Sequence, residues 1–556
     1  MNTYFKMITL ALLTTPVIGQ VNPQSKCDPY DDPCIAEERL VEQRKNIYPF
    51  KPVATEEIDT RLSKLTESDK YINDIREMNA RGLLSRNTKD QPWGGSYWPL
   101  YQGQIANPYQ EIKYKTLYGT FSGLRMLSFD YNYSTFKRRK KKILNKVLDL
   151  SEEQLARLAP SEKYDLLLGD YNFDLTHRIW DFAKNWNDNS KWAYLASINI
   201  PSGYRIPRSV SGIKMWEGIC HGWAVASGSS ERAEKTVWTT LPNGKKMPFY
   251  PNDVKALVTL MWANSTIQDS MLVEGLRCND KKPKKDEFGR YIDTRLDKTD
   301  KDLLPRCADV HPAVYHTSIV NVLGVEGRSF VIDKAAEVAV SNQPVSGYEY
   351  TYFNPSTGED ADFNNSALKV SDYTNDPFAS ARNKDTKYIV GVSMTLKYVN
   401  WENPIKFELN APSDDKIIDK KFNYDLELDA NFKIIGGQWR VSKDGSPKFF
   451  NNETNQPDFF WIVPKNYKSH FANLKTIPQW DFKQSTVPPK EYKAAAKQAH
   501  AFIYRQTKEY GWDLNCTVKP IKRGSGPDKE VPCEFRFPQP QPLVNVVNTL
   551  LEQSIR

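Results

Sequence analysis

Residues 216–227 read Trp-Glu-Gly-Ile-Cys-His-Gly-Trp-Ala-Val-Ala-Ser, and they place one cysteine, Cys220, among small and aromatic residues. Gly-x-Cys followed by an apolar run predicts a tight turn that leads into a helix with the thiol at its N-terminus. The free backbone N–H groups and the helix dipole at that end favour a thiolate over a thiol. Taken alone, the stretch indicates either a nucleophilic cysteine or a buried cysteine that packs between two tryptophans.

The composition is that of a globular protein. The chain has 556 residues, of which 40% are apolar and 26% are charged, and its net charge is +8. A chain of this length can form about two to four domains, each with its own core, and the many aromatic residues exclude general disorder. The net charge is too small to indicate nucleic-acid binding. No phosphate-binding Gly-rich loop and no His/Cys metal spacing occurs, so we expect no cofactor and no metal ion.

The first 19 residues have the pattern of a secretory signal peptide. Lys6 precedes an apolar run at residues 7–13, and small residues follow around Gly19, where we expect cleavage. The run is too short to cross a membrane, and no later stretch reaches the roughly 18 apolar residues that a span needs. We therefore expect a secreted protein without an integral membrane segment.

The cysteine count marks Cys220 a second time. The chain has seven cysteines, and in an oxidising compartment most of them should pair. Six fall into three local couples, each of which would close a short loop and contribute about 2–4 kcal/mol. The couples are Cys27 with Cys34, Cys278 with Cys307, and Cys516 with Cys533. The remaining Cys220 is either an intermolecular link or a reactive thiol.

A cysteine nucleophile needs a base, and the base needs a group that orients it. His221 follows Cys220 directly, and neighbours on a helix point about 100° apart, so His221 is poorly placed to take the thiol proton. His316 begins an apolar run that predicts a strand, and residues 329–333 predict a second strand after a glycine-containing turn. Such a β-hairpin would bring Asp333 opposite His316, where a carboxylate fixes the imidazole tautomer.

Each of these residues also has a simpler explanation. His316 alone is as readily a hydrogen-bonded, half-buried histidine. Asp333 alone is as readily a strand-end residue that makes turn contacts. The order of a cysteine, then a histidine on one strand, then an aspartate on the next makes Cys220, His316 and Asp333 our hypothesis for a catalytic triad.

Several further segments form an ordered pattern along the chain. They are residues 92–99 (Pro-Trp-Gly-Gly-Ser-Tyr-Trp-Pro), 161–165 (Ser-Glu-Lys-Tyr-Asp), 216–224, 341–345 (Ser-Asn-Gln-Pro-Val), 436–439 (Gly-Gly-Gln-Trp) and 456–461 (Gln-Pro-Asp-Phe-Phe-Trp). Together they resemble the transglutaminase-elicitor family of oomycete cell-wall glycoproteins and bacterial relatives, within the papain-like/transglutaminase superfamily. The resemblance implies that Cys220 is the nucleophile, with His316 and Asp333 completing the triad. His221 departs from the pattern of the wider superfamily, because animal transglutaminases and papain have a tryptophan directly after the cysteine.

The resemblance also implies a fold and a function. The fold would be α+β, with a papain-like/transglutaminase-like catalytic core in which the nucleophile helix packs on an antiparallel sheet, a helical N-terminal part and a β-rich C-terminal region. The function would be that of a secreted protein-glutamine γ-glutamyltransferase, which joins Gln and Lys side chains of envelope or cell-wall proteins through a Cys thioester. The alternatives are a secreted papain-like cysteine peptidase and a non-catalytic surface or elicitor protein.

We predict five parts along the chain. They are a signal peptide (1–19), a polar helical pro-segment or linker (20–90), a transglutaminase-like catalytic region (91–380), a β-rich region (381–480) and a C-terminal tail with a helix and a disulfide (481–556). The β-rich region is either an accessory domain or an extension of the catalytic sheet. Residues 348–352 alternate as an edge strand would.

Overall fold

The computed structural model describes residues 54–111, 129–197, 213–241, 243–263, 271–275, 284–285, 291–292, 310–334, 339–406, 408–440, 457–465 and 541–555. The predicted signal peptide and the six cysteines of the predicted couples lie outside these residues. Among the helices that are described, none is long and apolar enough to cross a lipid bilayer.

The described residues form eleven α-helices. In chain order they are α1 (Thr55–Thr66), α2 (Ile75–Ala80), α3 (Phe129–Lys142), α4 (Glu152–Ala156), α5 (Pro160–Leu167), α6 (Asp174–Ser197), α7 (Cys220–Ser229), α8 (Pro251–Ala263), α9 (Pro312–Ile319), α10 (Phe363–Ser366) and α11 (Gln541–Ile555). A π-helical turn, Val320–Val325, continues α9. Short 3₁₀ helices lie at Leu100–Gln102, Gln104–Ala106, Leu144–Asp149, Val370–Asp372, Ala379–Ala381 and Pro412–Asp414.

Fourteen strands lie in the described part of the chain. They are β1 (Ser85–Asn87), β2 (Val237–Thr240), β3 (Lys246–Phe249), β4 (Leu272–Gly275), β5 (Lys284–Lys285), β6 (Tyr291–Ile292), β7 (Val331–Asp333), β8 (Asn342–Phe353), β9 (Asp360–Ala361), β10 (Leu368–Lys369), β11 (Tyr388–Val399), β12 (Ile417–Leu428), β13 (Ile434–Trp439) and β14 (Phe459–Ile462). Ten of them form one antiparallel sheet whose main order is β13-β12-β11-β8-β7-β14-β4. The pairs β2–β3 and β5–β6 are separate.

Two hydrophobic cores pack on opposite faces of this sheet. One core joins Trp223 of α7 with Val331 of β7. The other joins Tyr315 of α9 with Ile332 of β7. Because successive side chains of a strand point to opposite faces, the change of core between Val331 and Ile332 places α7 on one face of the sheet and α9 on the other.

The sheet extends well beyond the predicted catalytic region. Strands β11, β12 and β13 follow β8 in order, and β14 lies beside β7. The strands after residue 381 therefore extend the sheet that carries β7 and β8. The N-terminal helix α1 packs into the same structure, since Ile58 and Leu62 are fully buried in the α9 core.

The prediction of an edge strand at residues 348–352 is wrong. The alternation is real, because Tyr348, Tyr350 and Tyr352 are buried while Glu349 and Thr351 are exposed. However, β8 pairs with β11 on one side and with β1, β7 and β9 on the other. Alternation reports that one face is exposed, and it does not distinguish a central strand from an edge strand.

The predicted hairpin before Asp333 is also wrong in its first half. His316 lies inside α9, and only the second strand exists, as β7. Pro312 occupies the first turn of α9, where the missing proline N–H is not needed. The Nδ1 of His311 accepts a hydrogen bond from the Ala313 N–H at 3.3 Å and caps the helix. Every residue of α9 is buried, so the helix has no polar stripe that would reveal its period.

Close contact between α7 and α8 requires a glycine at position 222. A Cβ atom built on Gly222 would lie 2.5 Å from the carbonyl oxygen of Thr259 and 2.6 Å from Cβ of Ala263. Both neighbours belong to α8, and the first is backbone that cannot rotate away. Gly222 therefore sets the distance at which the Cys220 helix packs against its neighbour.

We expect Gly222→Ala to destabilise the protein. Alanine gains about 1 kcal/mol of helix propensity over glycine, but overpacking against helix backbone costs typically about 1–3 kcal/mol. The packing cost exceeds the gain in helix propensity because α8 must shift. The Gly222→Ala protein should therefore have a lower midpoint of thermal unfolding than wild type. Ser229→Ala, at an exposed position of the same helix, is the matched control and should melt like wild type. A Gly222→Ala midpoint at or above wild type would show that α7 and α8 separate without cost.

Candidate active site

Cys220 is the first residue of α7, as its sequence context predicts. Its thiol is free, and the residue is partly exposed. The turn before it is fixed by backbone pairing, in which the Ile219 N–H donates to the Tyr97 carbonyl and the Leu100 N–H donates to the Glu217 carbonyl, each at 2.8 Å. A Cβ on Gly218 would lie 2.4 Å from the Tyr97 oxygen, so the close approach of the two segments needs that glycine.

The sulfur of Cys220 faces the first residue of β8. The Asn342 side-chain Nδ2 donates to Sγ at 3.4 Å. Burial raises the pKa of the Cys220 thiol, and the negative charge of Asp333 adds to that rise. Hydrogen bonds from the side chain and backbone of Asn342 and from the His221 backbone act in the opposite direction, because they stabilise the thiolate. The amide of Asn342 is thus the main described side chain that favours the charged form of the nucleophile.

The Asn342 side chain is itself held in place. Its Oδ1 accepts a hydrogen bond from the Trp461 indole N–H at 3.1 Å, which leaves Nδ2 directed at the sulfur. Asn342 also pairs with Asp333 across β7 and β8. The two residues are 6% and 1% exposed, respectively. A chain of contacts therefore runs from Trp461 through Asn342 to Cys220.

Asp333 lies on the same face of the sheet as Cys220. It is two residues beyond Val331 on β7, and the two side chains share a face because the strand period is two. Its Oδ2 accepts a hydrogen bond from the Ser341 N–H at 3.3 Å. The structure thus brings together a thiol, an amide and a carboxylate at the point where α7 meets the start of β8 and the end of β7.

His316 lies on the opposite face of the sheet. Its ring is fully buried. Nδ1 is 2.8 Å from the Tyr424 hydroxyl, and the ring packs edge-on against Tyr350 at a centroid distance of 4.8 Å. Both tyrosines belong to the α9 core. The structure does not bring His316 to Cys220 or to Asp333, so the geometry gives no support to His316 as the proton acceptor.

Three further histidines are described, and each has another setting. Burial lowers the pKa of His221 to about 4, and its ring hydrogen bonds to the backbone of Ala263. His311 caps α9 on the side of the sheet away from the thiol. His177 packs against Phe136 between α3 and α6. The remaining two, His470 and His500, lie outside the described residues.

We expect His316→Asn to change stability rather than chemistry. Asparagine keeps a polar atom near the position of Nδ1, while a buried polar substitution of this kind costs about 1–3 kcal/mol. Burial lowers the pKa of His316 to about 3 from its ordinary value of 6.5. Between these pH values the unfolded chain binds more protons than the folded one. Because of this histidine, the free energy of unfolding therefore decreases as the pH falls. The variant should show a shallower pH dependence in that range, measured by denaturant unfolding.

Activity separates this expectation from the triad hypothesis. Activity per folded molecule should change less than about tenfold in His316→Asn. Replacing a residue that only supports the fold lowers the rate less than removing a general base does. Tyr424→Phe, which removes the partner hydroxyl, should behave similarly. A His316→Asn protein of normal stability but without activity would restore His316 as the base of the triad.

Two residues of the site escaped the sequence-based assignment. Asn342 and Trp461 both lie in segments that carry the family resemblance, 341–345 and 456–461, but their roles were not assigned. An asparagine before a strand is a common turn residue, and a tryptophan in an apolar strand is a common core residue. Only the pairing of β7, β8 and β14 shows that they meet at the thiol.

Comparison with known proteins gives two matches. The family model for transglutaminase elicitor proteins matches residues 186–474, a range that contains Cys220, Asp333, Asn342 and Trp461. The crystal structure of the GP42 transglutaminase from Phytophthora sojae is similar at 19% sequence identity and a TM-score of 0.42, over 73% of this chain and 90% of that one. A search of curated proteins found no match.

Proposed function

The chain belongs to the transglutaminase elicitor family, and we propose that it is a protein-glutamine γ-glutamyltransferase with Cys220 as the nucleophile. The observation that carries the proposal is the free thiol of Cys220 at the start of α7, with the Asn342 amide donating to its sulfur. A helix N-terminus and a fixed amide donor favour a thiolate, and the thiolate is the reactive form. The protein substrates would lie outside the cell, as the predicted signal peptide implies.

The proposed reaction has two acyl transfers. The Cys220 sulfur attacks the γ-carboxamide carbon of a glutamine side chain, the C–N bond breaks, and ammonia leaves with the proton that the thiol gave up. A lysine ε-amine then attacks the thioester, the C–S bond breaks, and an amine proton returns to the sulfur as the isopeptide forms. If water attacks in place of lysine, the product is a glutamate side chain.

The residues of the site take distinct parts in this reaction. The backbone N–H of Cys220 and the Nδ2 of Asn342 are the donors we assign to the charge that develops on the substrate oxygen and on the sulfur. Asp333, on the same face of the sheet, stabilises the positive charge that forms as the leaving amine takes up a proton. We assign no proton transfer to His316, since it is hydrogen bonded to Tyr424 on the opposite face.

The experiment that tests this function follows a fluorescent primary amine and a glutamine-rich protein in the same reaction. Cys220-dependent incorporation of the amine supports glutamine acyl transfer. Fragmentation of the test protein without incorporation would instead show the papain-like peptidase, in which the same thiol cleaves backbone amides. Neither signal, from protein whose Cys220 reacts normally with iodoacetamide, would show a non-catalytic protein. Enzyme alkylated at Cys220 beforehand is the control.

A further inference from the structure

An apolar surface adjoins the turn that precedes Cys220. It consists of Tyr97, Met215 and Trp401, and we call it the apolar wall. Met215 is 54% exposed, and Tyr97 and Trp401 are partly exposed. The Tyr97 hydroxyl donates to the Met215 carbonyl at 2.9 Å, and the Tyr97 ring meets the Trp401 ring edge-on at a centroid distance of 4.9 Å. Large apolar side chains that stay exposed next to one another commonly mark an interaction surface.

Tyr97 holds the apolar wall against the turn of the nucleophile. Its carbonyl oxygen accepts a hydrogen bond at 2.8 Å from the N–H of Ile219, the residue directly before Cys220. Its ring is equally close, since a Cβ atom built on Gly218 would lie 2.8 Å from Cδ2 of Tyr97. The wall therefore begins within two residues of the thiol, and it continues to Trp401 through the ring contact.

Trp401 approaches the same place from the sheet. Strand β11 pairs antiparallel with β8, and Tyr398 lies opposite Val345. The chain stays in the ladder beyond the end of β11, because the Asn400 N–H donates at 2.9 Å to a carbonyl just before β12. Trp401 is three residues after Tyr398, and Asn342 is three residues before Val345. Since the two strands run in opposite directions, Trp401 lies at the level of Asn342.

Trp401 and Asn342 also share a face of the sheet. Val399, two residues before Trp401, is buried in the core that contains α7, and Trp401 packs against the same core. This agrees with the alternation of side chains along an extended chain. Asn342 faces that side as well, because its Nδ2 donates to the Cys220 sulfur. The apolar wall therefore borders the thiol and its amide donor on two sides, with Tyr97 at the turn and Trp401 at the end of the sheet.

The charged groups beside the wall do not favour a charged partner. Burial raises the pKa of Glu402, the residue after Trp401, and the positive charge of Lys416 acts in the opposite direction. On the other side, Glu217 already accepts hydrogen bonds from the Trp186 indole N–H and from a backbone N–H. Both signs of charge are therefore present, and apolar contact is the property that distinguishes this surface.

We propose that the apolar wall is the acyl-donor subsite, and that it selects a glutamine with a large apolar residue next to it in the substrate chain. The inference rests on the glutamine acyl transfer proposed for Cys220, and it names the class of substrate for that reaction. Neighbouring Cα atoms of the substrate are about 3.8 Å apart. When the glutamine side chain reaches the sulfur, the residue beside it therefore meets the surface that surrounds the thiol.

Burial on the wall separates apolar from polar neighbours of the glutamine. An apolar side chain placed on Tyr97, Met215 and Trp401 removes the apolar surface of both partners from water, which is favourable. A polar side chain at the same place loses water without gaining a hydrogen-bond partner, which is unfavourable. The lysine acceptor offers a different use of the wall, since its aliphatic stem can also pack on apolar surface. In that case the neighbour of the glutamine would make no difference.

The test is the alkylation of Cys220 in the full chain by blocked tripeptides whose glutamine side chain ends in a chloromethyl ketone. The sulfur–carbon bond forms, chloride leaves and the thiol proton goes to solvent, so neither acyl transfer nor an amine is required. The peptides carry either leucine or asparagine beside the reactive residue, because these two side chains are similar in size and differ in polarity. At one of the two neighbouring positions, wild type should react at least about tenfold faster with leucine.

Three variants assign this selectivity to the wall. Trp401→Ser should bring the ratio of the two rates close to one, and Met215→Ser, at an exposed position, should lower it. Trp238→Ala removes an aromatic side chain that is 57% exposed on β2, so it is the matched control and should keep the wild-type ratio. The ratio compares two peptides on the same protein, so a loss of folded molecules does not change it.

The outcomes separate this inference from the proposed reaction. Leucine selectivity without amine incorporation would support the subsite and contradict the transfer to an amine. Amine incorporation with a wild-type ratio near one would overturn the subsite alone. A preference for asparagine, an unchanged ratio in Trp401→Ser, or no alkylation of Cys220 by either kind of peptide would also overturn it.

Discussion

Replacing Cys220 with alanine should reduce amine incorporation by at least about a thousandfold, because the variant has no atom that can form the thioester. The rate is measured as fluorescent amine bound to a glutamine-rich protein at saturating amine. The fold should not change, since Cys220 is partly exposed at the first position of α7 and fills no cavity in the core.

The control for this prediction lies on the same helix. Ser227 is buried, and its Oγ donates to the Ala224 carbonyl within α7 at 2.9 Å. Ser227→Ala removes that hydroxyl without touching the site, so it should retain activity within a few-fold of wild type. Cys220→Ala protein that still incorporates amine at a substantial fraction of the wild-type rate would exclude Cys220 as the nucleophile.

Replacing Asn342 with alanine should slow the reaction about a hundredfold, the usual cost of losing one donor that stabilises developing charge. The side-chain hydrogen bond of Asn342 lowers the pKa of Cys220 against the larger effect of burial, so its loss should raise that pKa further. The rate of alkylation by iodoacetamide as a function of pH measures this directly. Its midpoint should move upward in the variant, and a purely structural role for Asn342 would leave it in place.

Two companion variants sharpen the Asn342 result. Asn342→Asp has nearly the same shape but adds a negative charge beside the sulfur and Asp333, so it should raise the pKa of Cys220 more than alanine does. Trp461→Phe keeps the amide and removes only the indole N–H that holds its Oδ1, so its effect should be smaller than that of either Asn342 variant. If Asn342→Asp alkylates as fast as wild type, the amide is not a donor to the thiolate.

Much of the site could be predicted where local sequence determines local structure. The Gly-x-Cys sequence at residues 218–220 and the apolar run after it predicted the start of α7, and the helix does begin at Cys220. A local signal of the same kind marks the start of α4, where the Ser151 hydroxyl caps the helix by accepting a hydrogen bond from the Gln154 N–H. The turn at residues 429–431, which joins β12 and β13, likewise contains Asp and Asn, residue types that are common in turns.

The parts of the fold and the site that could not be predicted depend on contacts between segments that are distant in the sequence. Residues 314–323 are rich in Val and Ile, which favour a strand by propensity, but burial on every side stabilises them as a helix. That change moves His316 from the predicted hairpin to the far face of the sheet. The site that replaces the hairpin pairs Asn342 with Asp333 on the neighbouring strands β7 and β8. Trp461 joins them from β14, which pairs with β7 from a distant part of the chain.

The most direct test of the account is the mass of the acyl-enzyme. The protein is incubated with a blocked glutamine peptide without added amine, quenched in acid and digested for mass spectrometry. We predict that the peptide containing Cys220 gains the mass of the substrate less one ammonia, and that Cys220→Ala shows no such adduct. Ammonia release and amine incorporation with the adduct on a different residue, or an adduct formed by cleavage of the substrate backbone, would contradict it.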